Sequence, residues 1–126
     1  MSASPTERIR VGVVGLGYWG PNLARNFDAL PDAEVAWLCD ANTQALERHA
    51  PNHRQARTTG DLDDLLADDS LDAVVIATHV PTHVALATRV LQAGKHVFVE
   101  KPLGATLAET EQLTELADRS FLSKSR

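Results

Sequence analysis

Apolar residues along this chain fall into two kinds of run, and the two alternate. Continuous runs of strand length span Ile9 to Val14, Glu34 to Cys39, Ala73 to Ala77 and His96 to Glu100. Between them apolar positions recur at helical spacing. Leu23, Phe27 and Leu30 fall at i, i+4, i+7 and predict a helix ending near Pro31. A short helix follows around Ala45 to His49, and the irregular PNHRQARTT stretch has room for a short third strand. Leu62, Leu65 and Leu66 share one face of a helical turn that Asp61 can cap. Thr82 to Ala93 carries a stripe of Leu86, Val90 and Ala93, with Gly94 placed to stop the helix. Thr106 and Glu109 have capping-box spacing, ahead of a last helix with Leu113, Leu116 and Ala117 on its apolar side. AVVIA is apolar without alternation, as in strands buried on both faces. Strand and helix in turn imply an α/β fold, a doubly wound parallel sheet of about five strands with right-handed crossovers and helices on both faces.

Composition narrows the function classes. The chain has 126 residues, 44% apolar and 23% charged, within the range of one globular domain. We expect the domain over residues 9–120, a flexible tail over 1–8 and a frayed tail over 121–126. A net charge of -5, from 17 acidic and 12 basic residues, supplies no basic stripe for nucleic acid or an anionic membrane. MSASPTERIRV has no apolar segment of signal-peptide length, and no stretch approaches a membrane span, so a cytoplasmic location is expected. The single cysteine, Cys39, cannot pair within the chain and reads as a buried strand residue; no metal site is expected.

The chemistry starts in GVVGLGYWG, where Gly15, Gly17 and Gly20 match G-x-G-x-x-G. Three glycines alone are weak evidence, and a tight turn followed by a helix-capping acid accounts for them equally. Here the motif follows a predicted strand, opens a predicted helix, and has Asp40 twenty residues after Gly20 at the end of the second strand. Gly15 allows the turn, Gly17 lets a pyrophosphate approach the backbone, and Gly20 lets helix pack on strand. The helix start offers unpaired N–H groups and its positive dipole end. Asp40 would accept from the adenosine ribose hydroxyls. Ala41 and Asn42 after it include no arginine for a 2′-phosphate, which favours NAD over NADP. A methyltransferase would share the sheet and the acid but not this glycine spacing, and no G-K-[ST] completes a P-loop. The expectation is therefore a Rossmann-type sheet holding a nicotinamide dinucleotide.

Ligands of such sheets collect outside the carboxyl ends of the strands. The later strands end in Thr78, His79, Pro81, Thr82 and His83, and in Glu100, Lys101 and Pro102. A histidine at a helix start serves equally as a polar cap, and Glu-Lys-Pro as a solvated strand end. GVVGLGYWGPNLARNF, DAVVIAT with PTH, and AGKHVFVEKPL together resemble the N-terminal half of the Gfo/Idh/MocA oxidoreductases, in order from about Ile9 to about Arg119. GYWGPN is most similar to members that oxidise nucleotide sugars at a ring hydroxyl. The resemblance implies hydride transfer between a nicotinamide cofactor and a hydroxyl carbon of a sugar, nucleotide sugar or cyclitol.

On the matching positions, Gly15, Gly17, Tyr18, Trp19 and Gly20 would line the pyrophosphate and Asp40 the ribose. Ala77, Thr78, Pro81 and His83 would edge the nicotinamide. Glu100 and Lys101 belong to the family's E-K-P motif, in which the lysine is catalytic and contacts the reacting hydroxyl; its charge would stabilise a developing alkoxide. The family often has a cis bond before this proline, so Lys101-Pro102 is expected to be cis. His79 stands where relatives commonly carry proline. FLSKSR after DRS reads as a frayed tail, and the sixth strand and substrate domain that the resemblance implies are expected to be absent. The expectation is a cofactor half, weak or inactive alone, that needs a substrate domain to act on sugars and has a sheet edge through which oligomers can form. The alternative is a self-standing NAD-binding module that senses redox state or complements another chain.

Overall fold

The computed structural model describes residues 8–17 and 19–99, leaving aside the side chain of Val80. The elements are β1 (Ile9–Val14), α1 (Gly20–Asp28), β2 (Ala33–Cys39), α2 (Thr43–His49) with a 3-10 turn at Ala50–Asn52, β3 (Arg57–Thr59), α3 (Leu62–Leu66), β4 (Ala73–Ile76), α4 (Val80–Gln92) and β5 (His96–Val99). All strand pairs are parallel and their order is β3-β2-β1-β4-β5. The chain thus winds outward from β1 through β2 to β3, then crosses back to β4 beside β1. The strand order reverses between β1 and β4, which opens a crevice above their carboxyl ends.

Each face of the sheet has its own core. On one side Val11, Val13, Val35, Leu38 and Val75 meet Ala24 and Leu46 of α1 and α2. On the other, Val14, Cys39, Val74 and Ile76 meet Leu62 and Leu65 of α3 and Ala87, Val90 and Leu91 of α4. Alternation slips once: the β1/β2 register shifts at Val11/Gly12, which pair with Val35 and Trp37, so Ala36 is an extra residue. Ala36 and Trp37 then both join the α3/α4 core. Gly12 makes room beneath them, since a Cβ there would lie 2.6 Å from the Leu65 side chain.

The strand expectations hold within a residue, β2 starting at Ala33 and β4 ending at Ile76. Two helix stripes differ. α1 stops at Asp28, whose carboxylate accepts from the Val35 amide at 2.8 Å, so Leu30 lies past the helix and is exposed; Gly20 and Ala24 form the buried face. α4 starts at Val80, with Pro81 in the first turn where a missing N–H costs nothing. Its inner face is His83, Ala87, Val90 and Leu91, while Ala93 is the exposed C-cap. The polar His83 conceals that face from a search for apolar residues. Gly94 ends the helix as expected, at φ 82°, with its amide on the Leu91 carbonyl and that of Lys95 on Val90. Glu100, Lys101, Pro102, the capping box at Thr106 and the helix after it lie outside the described residues, as does the Lys101-Pro102 bond.

The amino ends of the strands are gathered by the turn between α3 and β4. Asp68 accepts from the Trp37 indole N–H at 2.8 Å and from both the hydroxyl and amide of Ser70. The buried Lys95 ammonium donates to the carbonyls of Asp68 and Leu71 at 2.7 and 3.0 Å. The Ser70 hydroxyl and then the Trp37 indole hold the Asp68 carboxyl down to about 2, against the opposing effect of burial, with help from the Ser70 amide and Arg10. A carboxyl depressed in the folded state stabilises it above the ordinary carboxylate pKa, and that contribution is lost as pH falls towards the folded value. Asp68→Asn should therefore lower the urea midpoint at pH 7, and the gap from the parent should close between pH 4 and pH 2.

Candidate functional site

A cleft of about 770 Å³ lies over the carboxyl ends of β1, β2 and β4, at the point where strand order reverses. Its walls bring together Gly15, Gly17, Trp19, Asp40, Ala77 and Thr78 of the residues predicted from sequence. Tyr18, Glu100 and Lys101 lie outside the described residues.

The three motif glycines do different work. Gly15 sits at φ 97°, and a Cβ there would come within 2.8 Å of the Ala77 backbone. A Cβ on Gly20 would lie 1.7 Å from the Gly15 carbonyl oxygen, so the loop is folded directly onto the start of α1. Gly17 has nothing within 4 Å of its Cβ position and is exposed to the cleft. The fold therefore demands glycine at 15 and 20, whereas no contact of the described residues demands it at 17. Trp19 is the N-cap of α1 and makes no side-chain cap hydrogen bond, and the first turn holds no acidic residue. α2 and α3 are instead capped by Asn42 and Asp61. The amino end of α1, at the edge of the cleft, is thus without a side-chain cap from Trp19 or an acid in its first turn.

Asp40 braces this loop as well as facing the cleft. One carboxylate oxygen accepts from the Leu16 amide at 2.8 Å and the other from the Asn42 amide at 2.8 Å. The Gly15 amide donates to the Cys39 carbonyl at 2.8 Å, a second tie between the loop and β2. Each carboxylate oxygen has two acceptor sites, so capacity remains for hydroxyl donors. Neighbouring Cys39 also reaches the cleft wall; burial first, then the Asp40, Asp61 and Asp64 carboxylates, push its thiol up to about 11, so it is protonated at neutral pH and packs as an apolar residue.

Across the cleft, the segment after β4 is held from below. His83 is buried, and its Nε2 lies 2.8 Å from the Thr78 carbonyl, which makes that nitrogen the donor. Thr82 donates its hydroxyl to the His79 carbonyl and lies 2.6 Å from the Thr78 hydroxyl. Pro81 and His83 stand off the cleft wall, which His83 influences through Thr78. The sequence reading missed the far wall: Asn42, Gly60, Asp61, Leu62, Leu86 and Arg89. Only Asp61 carried a signal, as a helix cap. Arg89 is paired with Asp63 across α4 and α3. Among the described residues, no group of three or more His, Cys, Asp or Glu can hold a metal ion, and no helix is long and apolar enough to cross a membrane.

Residues 9–122 match the profile of GFO_IDH_MocA, described as an oxidoreductase family, NAD-binding Rossmann fold. The chain is 32% identical over 123 residues to a glycosyl hydrolase family 109 protein of Shewanella pealeana, covering 90% of this chain and 27% of that protein. GenD2 from gentamicin A biosynthesis, crystallised with NAD, superposes with TM-score 0.87 at 35% identity over 95% of this chain and 34% of its own. The WlbA dehydrogenase of Bordetella pertussis, with NADH and UDP-GlcNAcA, gives 0.84 at 33% identity over 90% and 34%. Further structures of the same fold hold NADP. This chain spans about a third or less of the length of these proteins.

The glycine geometry separates folding from binding. Gly20→Ala should cost at least about 2 kcal/mol in denaturant titration, because a backbone oxygen occupies the space. Gly17→Ala should leave stability within about 0.5 kcal/mol. It should nevertheless weaken NADH binding in calorimetry by about tenfold, or 1.4 kcal/mol.

Proposed function

The chain belongs to the Gfo/Idh/MocA oxidoreductase family as its NAD-binding Rossmann domain, and on that premise we propose that it holds NAD for hydride exchange with a hydroxyl carbon of a sugar or nucleotide sugar. The observation that carries this reading is the open space over Gly17, between two glycines fixed by backbone contacts and beside the uncapped start of α1. The pyrophosphate would lie there, alongside Tyr18 and Trp19. Asp40 would take the adenosine ribose hydroxyls on the acceptor sites left by Leu16 and Asn42. Ala77 and Thr78 would edge the nicotinamide, with Pro81 and His83 shaping that edge from behind. NAD, when bound, supplies a hydride acceptor at its nicotinamide carbon. Lys101 would donate a hydrogen bond to the substrate oxygen and stabilise the negative charge that develops on it, next to Glu100 in the same motif.

The sugar class draws support from WlbA, crystallised with a UDP-sugar. The name of the Shewanella relative supports a second reading of the same cleft, in which the reaction on the sugar ends in cleavage of a glycosidic bond. Net accumulation of NADH during turnover marks a dehydrogenase; turnover without it marks a hydrolase. The binding reading is tested directly by titrating the chain with NADH in a calorimeter. Saturable binding is expected, and Asp40→Ala should weaken it tenfold or more, since hydrogen bonds to a charged group are worth about 1.5–3 kcal/mol. Absence of NADH binding would overturn the assignment.

A further inference from the structure

We infer that the Asp63–Arg89 ion pair selects NAD against NADP, by holding the cleft's cation away from a 2′-phosphate. The inference rests on reading the cleft as the dinucleotide site. Arg89 is the only arginine or lysine among the described residues that line the cleft, and it shares the lining with Asp61, Leu62, Asp40 and Asn42. Asp40 and Asn42 follow β2, and Asp61 and Leu62 follow β3, the side on which Asp40 would hold the adenosine ribose. A 2′-phosphate added to that ribose brings nearly two negative charges at neutral pH. It would meet the carboxylates of Asp40 and Asp61 in the wall, and the one partner of matching charge and geometry there is a guanidinium.

That guanidinium is engaged. Arg89 donates to Asp63 Oδ1 from one helix to the other, α4 to α3. Asp63 stays outside the cleft lining, so its carboxylate draws the charge of Arg89 towards the outer surface of the two helices. Two cleft carboxylates, Asp40 and Asp61, then accompany a single cation already neutralised by Asp63. Both partners of the pair are exposed, at 44% for Arg89 and 71% for Asp63. Exposed pairs contribute little to stability, so this pair can be opened without unfolding the domain. Removing the charge of Asp63 frees Arg89 to turn towards the ribose and at the same time makes the surroundings less negative. Residues 41 and 42 have no cation to read a 2′-phosphate, which leaves Arg89 as the cation of the described lining that could.

The test uses the full 126-residue chain and calorimetric titration with NADH and NADPH at low salt. Asp63→Asn should reduce the ratio of the NADPH to the NADH dissociation constant about three- to tenfold. Asp63→Asn combined with Arg89→Gln should restore the parental ratio or exceed it. Asp63→Ser, which keeps a polar residue in the first turn of α3, serves as a second opening of the pair, and circular dichroism reports whether each variant is folded. An unchanged ratio in folded Asp63→Asn and Asp63→Ser overturns the inference. So does an equal fall in the double variant, which would mark a loss of negative charge without a part for Arg89. Equal weakening of both nucleotides by Arg89→Gln alone would make Arg89 an adenine contact and overturn it as well. Parental protein that binds neither nucleotide would instead sink the dinucleotide reading itself.

Discussion

The closest constraint in the described structure is the approach of the Gly15 carbonyl to Gly20, with 1.7 Å between that oxygen and the place a Cβ would occupy. It lets the chain leave β1, turn at positive φ, and enter α1 without moving away from the sheet. Because α1 begins so close to β1, its first turn stands over the reversal between β1 and β4 and not beside it. The crevice that any parallel sheet has at such a reversal becomes a lined cleft with a helix terminus at its edge. The position of Asp40 depends on the same contact, for its bond to the Leu16 amide needs the loop to come back over β2.

Asp40 therefore belongs both to the frame and to the cleft wall. A carboxylate that met only a ribose would be free to rotate in the empty protein and would have to be ordered on binding. Two backbone amides fix it beforehand, so less conformational freedom would be lost by a ligand that engaged it. His83 does comparable work on the opposite wall through the Thr78 carbonyl, and it does so from within the core, where its Nε2 bond is shielded from water.

The parallel sheet and the glycine loop were legible in the sequence because they depend on local order: strand-length apolar runs, helical spacing, and glycines at set intervals. Asp40 was legible for the same reason, at a fixed distance from the motif. Its bond to Leu16, 24 residues away, was not. Nor was the pairing of Arg89 with Asp63, 26 residues apart, which exists only because the crossover from β3 lays α3 beside α4. Leu30 misled because helical periodicity continues past Asp28, whereas the Asp28 carboxylate draws the chain into β2. His83 was legible as a residue near the site, but a polar name at an apolar position gave no sign that it lies in the core.

The bulge in β2 has an optical consequence. By adding Ala36, it turns Trp37 into the α3/α4 core, where the indole is 4% exposed and bonded to Asp68 at the amino end of the sheet. The other tryptophan, Trp19, is 53% exposed on the rim of the cleft. The two indoles thus occupy opposite ends of the strands in opposite surroundings, one dry and one wet. Their fluorescence should therefore differ in quencher access, with Trp37 following the integrity of the fold and Trp19 following events at the cleft.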